Sequence, residues 1–239
     1  MNKTNVFIVV LFSGLAAFSI FNFIRCEKLK ARIDELAAKP TNQVSGQEFV
    51  KSGNPESTGI GTMFMGENSG AKNTTGDWNT FIGYQAGTKN TTGELNTFLG
   101  ARAGNVSTIG FYNTFLGATA GRVNTTGYEN TMVGQGAGYS NTTGHNNTFI
   151  GTQAGDLNLA GNENVIVGSR AGYSNRSDGN TFVGFRCGYA TNTGTGNTFI
   201  GNKAGENNTS GSHNVIIGDT AQLKDSTTSN QLLIHNGTH

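Results

Sequence analysis

Asn79-Thr80-Phe81-Ile82-Gly83-Tyr84-Gln85-Ala86-Gly87-Thr88-Lys89-Asn90-Thr91-Thr92-Gly93-Glu94-Leu95 is one unit of a tandem repeat. Its opening motif, Asn-Thr-Phe-Ile-Gly, returns with variations at Asn96, Asn113, Asn130, Asn147, Asn164, Asn180, Asn197 and Asn214; every step is 17 residues except the 16 before Asn180. A degenerate copy opens at Thr62, and Leu232-Leu233-Ile234 reads as a last partial strand. A fixed short period means that each unit buries its neighbours rather than itself. The fold class this predicts is all-β, a β-solenoid (β-roll) of about ten 17-residue rungs. At about 4.8 Å per rung, that makes a rod of roughly 50 Å.

Each column of the repeat has a physical job. The fourth position is Ile82, Leu99, Leu116, Val133, Ile150, Val167, Val183, Ile200 or Ile217, branched aliphatics throughout, and reads as a ladder stacked inside the coil. The second position is Thr or Val, near-isosteric and β-branched, suited to the same strand face. Strand alternation sends the residue between them to the opposite face. That residue is Phe81, Phe98, Phe115, Met132, Phe149, Ile166, Phe182, Phe199 or Ile216, so the strand is apolar on both sides. An outer stripe of this kind marks association. These nine residues are therefore the candidate oligomer interface, packed between chains around a common axis. Two alternatives are a second layer of the same chain over the Phe side, and a reversal of the two faces.

Two turns complete the unit, leaving room for two short strands and two corners per rung. Ala-Gly pairs such as Ala86-Gly87 and Ala103-Gly104 suit a tight corner where Gly supplies a positive φ. Cys187 stands in this Ala column and reads as a small buried residue. Asn-Thr-Thr-Gly, at Asn73, Asn90, Asn124 and Asn141, makes the second turn, and stacked Asn can form amide ladders. The Asn-x-Ser/Thr triplets match N-glycosylation acceptors, but the repeat itself generates them, so they read as structural Asn.

Ahead of the repeat, Val6–Ile24 is an uncharged run of 19 residues, long enough to span a bilayer as a helix. It reads as an anchor or as a signal segment. Arg25, Lys28, Lys30 and Arg32 follow it, and the positive-inside rule would keep them in the cytoplasm. The repeat's character favours the outside, so the two indications conflict. Cys26, Leu29, Ile33 and Leu36 fall at a and d positions of two heptads, and Pro40 ends that helix. The expected organisation is 1–25 transmembrane anchor or signal segment, 26–40 short helical coiled-coil stalk, 41–59 linker, and 60–239 solenoid.

Composition narrows the function classes. There are 36 Gly and 2 Pro without a Gly-X-Y period, which excludes collagen. A net charge of +1 gives no electrostatic reason to expect nucleic acid. The four His are scattered, Asp156, Asp178 and Asp219 are too irregular for a calcium-binding solenoid, and no Gly-Lys-Ser/Thr closes a phosphate loop. No cofactor or metal is expected, and the chain reads as non-enzymatic.

The units Asn79–Gly87 and Asn90–Gly93 resemble repeats of phage tail-fibre-like proteins and, less closely, the head repeats of trimeric autotransporter adhesins. The resemblance covers about Thr62 to Ala221. It implies a homotrimer of β-rolls forming a stalk or adhesive head, with a cell-surface or glycan receptor as partner. No C-terminal barrel anchor or self-cleaving chaperone segment is evident, so the membrane contact would be Val6–Ile24, with the repeat domain extracellular or surface-exposed. Two other functions fit a repetitive surface. One is ice binding by Thr-rich faces, although no Thr-x-Thr strand ladder is present. The other is carbohydrate binding by Trp78, Tyr84, Tyr112, Tyr128, Tyr139 and Tyr173, which fall in several columns.

Overall fold

The computed structural model describes residues 53–235, together with the strand residues Gln43–Val44 and Gln47–Glu48. The chain divides into two units, Met1–Phe49 and Val50–His239. In the first, β1 (Gln43–Val44) pairs antiparallel with β2 (Gln47–Glu48), within the stretch expected to be a linker. The expected membrane segment 1–25 and coiled-coil stalk 26–40 lie outside the described residues. Among the described residues, no helix is long and apolar enough to cross a membrane.

The second unit is a parallel β-solenoid. Its strands are β3 (Met63–Met65), β4 (Thr80–Ile82), β5 (Thr97–Leu99), β6 (Thr114–Leu116), β7 (Thr131–Val133), β8 (Thr148–Ile150), β9 (Val165–Val167), β10 (Thr181–Val183), β11 (Thr198–Ile200), β12 (Val215–Ile217) and β13 (Leu232–Ile234). They form one sheet in sequence order, each pair parallel and in register, so Phe81 faces Phe98 and Ile82 faces Leu99. Eleven strands bound ten turns, as the repeat predicts. Both degenerate ends, Met63–Met65 and Leu232–Ile234, are strands of the sheet.

Only one strand forms per turn, not the two expected. On the return side Lys72 N donates to Thr88 O (3.1 Å) and Thr74 N to Thr91 O (2.9 Å), both one rung on, but between them Asn73 N turns back to Gly70 O (3.0 Å). Inter-rung bonds alternating with local turns keep that side stitched without a continuous ladder. The short rung loses its residue between Asn175 and Asn180, in a turn, so Thr181 still pairs with Val165 and the sheet keeps register.

The two faces of the strand are the reverse of the expected arrangement. Phe81, Phe98, Phe115, Met132, Phe149, Ile166, Phe182, Phe199 and Ile216 are all 0% exposed and form the core with the Ala column. Leu99 and Leu116, from the aliphatic column, are each 42% exposed. The nine residues assigned to an oligomer interface are therefore the interior of a single chain. Two features make this the better packing. Parallel register stacks the rings of Phe81, Phe98 and Phe115 at 4.6 and 4.7 Å, within 8° of parallel, so the rung spacing is itself a stacking distance. The roll is also thin: a Cβ added at Gly104 (φ 54°) would lie 2.4 Å from the Phe98 ring. The Ala-Gly corner is thus the small partner that a flat ring requires, and aliphatics on the other face relieve nothing there.

Candidate association surface

The outward face of the sheet is formed by the second and fourth columns. Thr97, Thr114 and Thr131 are exposed, as are Leu99, Leu116, Ile150 and Ile200. Every outward position from Met63 to Ile234 is Thr, Val, Ile, Leu or Met. A solvated strand face ordinarily alternates in charged and polar residues; this one carries no charge over eleven strands.

Behind this face the interior is held by two ladders of buried Asn. In the first, Asn79 Oδ1 accepts from the backbone N–H (3.0 Å) and the side-chain amide (3.2 Å) of Asn96. Asn96 Nδ2 also donates to Gly110 O (2.8 Å). The backbone leg repeats at every rung and ends where Gln231 N donates to Asn214 Oδ1 (2.9 Å). The sequence reading had no role for this column; its signal was Asn at the same position of nine consecutive units. The second ladder is the Asn-Thr-Thr-Gly column, where Asn90, Asn141 and Asn158 each donate to the Asn one rung earlier. Asn73, Asn90, Asn124 and Asn141 are 0% exposed, so these glycosylation-like triplets point their amides inward, as structural Asn.

The two corners differ in charge. The half-turn after each strand carries Lys72, Lys89, Arg102, Arg122, Arg170, Arg186, Lys203 and Lys224. Its acids are largely engaged locally. Arg186 Nε lies 2.6 Å from Glu206 Oε1, Asn202 donates to Asp219 at 2.7 Å, and burial pushes the Asp156 carboxyl above its ordinary value despite a bond from Gln153. The corner before each strand carries Asp77, Glu94, Glu129, Glu163 and Asp178, with Arg176 beside the last of them. Among the described residues, Arg186–Glu206 is the only ion pair.

The aromatic residues considered for carbohydrate binding divide between these corners. Trp78, Tyr112 and Tyr128 precede strands, and Tyr84, Tyr139 and Tyr173 follow them. Phe111, Tyr128 and His145 stack on successive rungs at 4.9 and 4.6 Å, and Arg122 donates to the Tyr139 hydroxyl. Cys187 is buried, and its Sγ donates to Phe199 O (3.2 Å). Desolvation pushes its thiol up to about 12, despite an opposing backbone bond at Val183. Among the described residues, no three His, Cys, Asp or Glu gather as metal ligands. A cavity of about 520 Å³ lies at the N-terminal end of the coil between Gly53, Pro55, Ser57, Thr62 and Phe64, with no charged side chain among the described residues of its wall. No family model matches the chain, and no curated protein or solved structure matches it either.

Proposed function

We propose that this chain is a non-enzymatic structural or surface-display protein, a fibre or adhesin-like β-roll tethered to a membrane through Val6–Ile24. The repeat domain is surface-exposed, and it assembles as a homotrimer through the outward face of β3–β13. The observation that carries this reading is the uncharged Thr/aliphatic face described above, a strip of roughly 50 Å at about 4.8 Å per strand. Its position replaces the Phe column as the contact between chains. Leu99 and Leu116 are each 42% exposed, and association through this face would cover that apolar surface. Native mass measurement of the full chain in mild detergent tests this. A trimer that dissociates on Leu99→Lys/Leu116→Lys is expected, and a monomeric wild-type chain rejects it.

A second reading is that the same face orders water as an ice-binding surface. It is favoured by one observation: the Thr column points outward in an in-register array. Thermal hysteresis in the purified chain would support it, and freezing behaviour equal to that of a charge-matched control would remove it.

A further inference from the structure

One column of the half-turn after each strand runs Arg122, Tyr139, Asp156, Tyr173, Tyr189 and Glu206, one residue per rung. The Arg122 Cζ lies 5.3 Å from the Tyr139 ring centroid, and Tyr173 stacks on Tyr189 at 5.1 Å, within 10° of parallel. Both tyrosine rings therefore turn their faces along the coil, and each has one face taken. Their other faces look toward the rung of Asp156, which lies between them. Two rungs separate the rings, roughly 10 Å at about 4.8 Å per rung. Aspartate is the shorter side chain, so beyond its carboxylate the column supplies no further atom between the rings. Asp156 itself is only 8% exposed, at the base of this slot.

The chain shows elsewhere what such a place accepts. Tyr189 and Glu206 stand 3 and 20 residues after Arg186. The Arg186 Cζ lies 4.5 Å from the Tyr189 ring centroid, and its Nε lies 2.6 Å from Glu206 Oε1. Gly136, Tyr139 and Asp156 repeat those offsets, with the ring and the carboxylate but without the cation. Both leading residues are left-handed, Arg186 at φ 51° and Gly136 at φ 66°. A Cβ added at Gly136 would meet ordinary contacts only, 3.7 Å to Gln153 Cγ and 3.9 Å to Asp156 Oδ2 and Thr119 Oγ1, so the backbone there has room for a side chain. Among the described residues Asp156 forms no ion pair. Burial lifts its carboxyl above the ordinary value, against a bond from Gln153, whose Oε1 in turn accepts from Arg170 Nε at 3.1 Å. That neutral relay keeps Arg170 one side chain away from the carboxylate.

We propose that the Asp156 slot binds a guanidinium group from outside the chain, as Arg186 fills the equivalent place from within. The carboxylate accepts the N–H fork, and the faces of Tyr139 and Tyr173 hold the plane from either side. A lysine ammonium carries the same charge without the plane, so it uses the carboxylate alone. The slot lies on the half-turns after β7, β8 and β9, away from the Thr/aliphatic face, and it does not depend on association through that face. The arginine side chain of a partner protein and a small free guanidinium compound share this chemistry, and the test separates them.

The test titrates the full-length chain in mild detergent, isotope-labelled only in its 6 tyrosine rings, and reads their magnetic-resonance signals. The probes are methylguanidinium, a blocked Gly-Arg-Gly peptide and a blocked Gly-Lys-Gly peptide. For the guanidinium probes, saturable shifts of the Tyr139 and Tyr173 signals are expected, with Tyr84, Tyr112 and Tyr128 unmoved. Asp156→Asn should weaken that binding about tenfold or more, because a charge-assisted bond is lost. Gly136→Arg fills the slot from within and should abolish it. The lysine peptide should bind several-fold more weakly than the arginine peptide. Tighter binding of the arginine peptide than of methylguanidinium assigns the group to a partner chain; equal or weaker binding assigns it to a small molecule. The proposal is overturned by no saturable shift, by equal shifts at all six tyrosines, or by undiminished binding in Asp156→Asn. Equal binding of the lysine peptide, or binding that survives in a folded Gly136→Arg chain, overturns it as well.

Discussion

Asn90 donates its side-chain amide to Asn73 Oδ1 at 2.7 Å, yet Asn90 Oδ1 itself receives no hydrogen bond. The residue one rung on is Ser107, too short to reach back, and Ser107 Oγ is also buried without a partner. The same column is interrupted at Thr191, whose Oγ1 is likewise unpaired, and it ends at Asn208. Ser107→Asn should rejoin Asn73–Asn90 to Asn124–Asn141–Asn158. One net hydrogen bond and one relieved buried acceptor predict a gain of about 1–2 kcal/mol. Denaturant melts that show no increase in midpoint would contradict this.

Thr119 occupies the left-handed region at φ 59°, where the next rung has Gly136 at φ 66°. A β-branched residue there is strained. Thr119→Gly should stabilise the coil by about 0.5–1 kcal/mol, after allowing for the extra freedom of Gly in the unfolded chain. The opposite sign in a thermal melt would show that the Thr side chain contributes packing worth more than the strain.

Phe115 and Leu116 are neighbours on opposite faces, and they should behave oppositely. Phe115→Ala removes a ring stacked at 4.7 Å on Phe98 and should cost about 3–5 kcal/mol. Leu116→Ala should cost well under half of that in the isolated chain, because Leu116 is 42% exposed. Equal losses measured by chemical denaturation under dissociating conditions would mean that the faces are assigned wrongly.

Cys187 gives a pH signature. Its thiol rises from an ordinary 9.0 to about 12 on folding, so between those values the folded chain holds a proton that the unfolded chain has lost. Stability should therefore fall as pH rises through this window, and be unaffected by this group below it. Cys187→Ala should flatten that part of the profile. In a Cys26→Ser background, Cys187 should also resist maleimide at pH 8 in the native chain and react once unfolded; rapid native labelling would contradict its burial.

The periodicity in the sequence was enough to place every strand from Met63 to Ile234, the Ala-Gly corner and the inward Asn of the second turn. Each depends only on what recurs every 17 residues, because parallel in-register stacking makes like sit on like. Which strand face is inside did not follow from hydrophobicity, since Phe81 and Ile82 are both apolar. A signal was present in the pairing of a bulky flat column with Ala-Gly five and six residues later: only a small corner leaves room for a ring. The single strand per turn was not legible either, because Asn73 N bonding to Gly70 O rather than to the next rung is a matter of local geometry.

The sequence by itself determined the repeat, the rung count and the stacking direction, since these follow from period and strand alternation. The tertiary structure alone decided that the Phe column fills the coil and the Thr/aliphatic column faces out. The physical reason is that burial depends on how tightly a 17-residue turn closes, which is set by packing volume across the coil rather than by any neighbour along the chain.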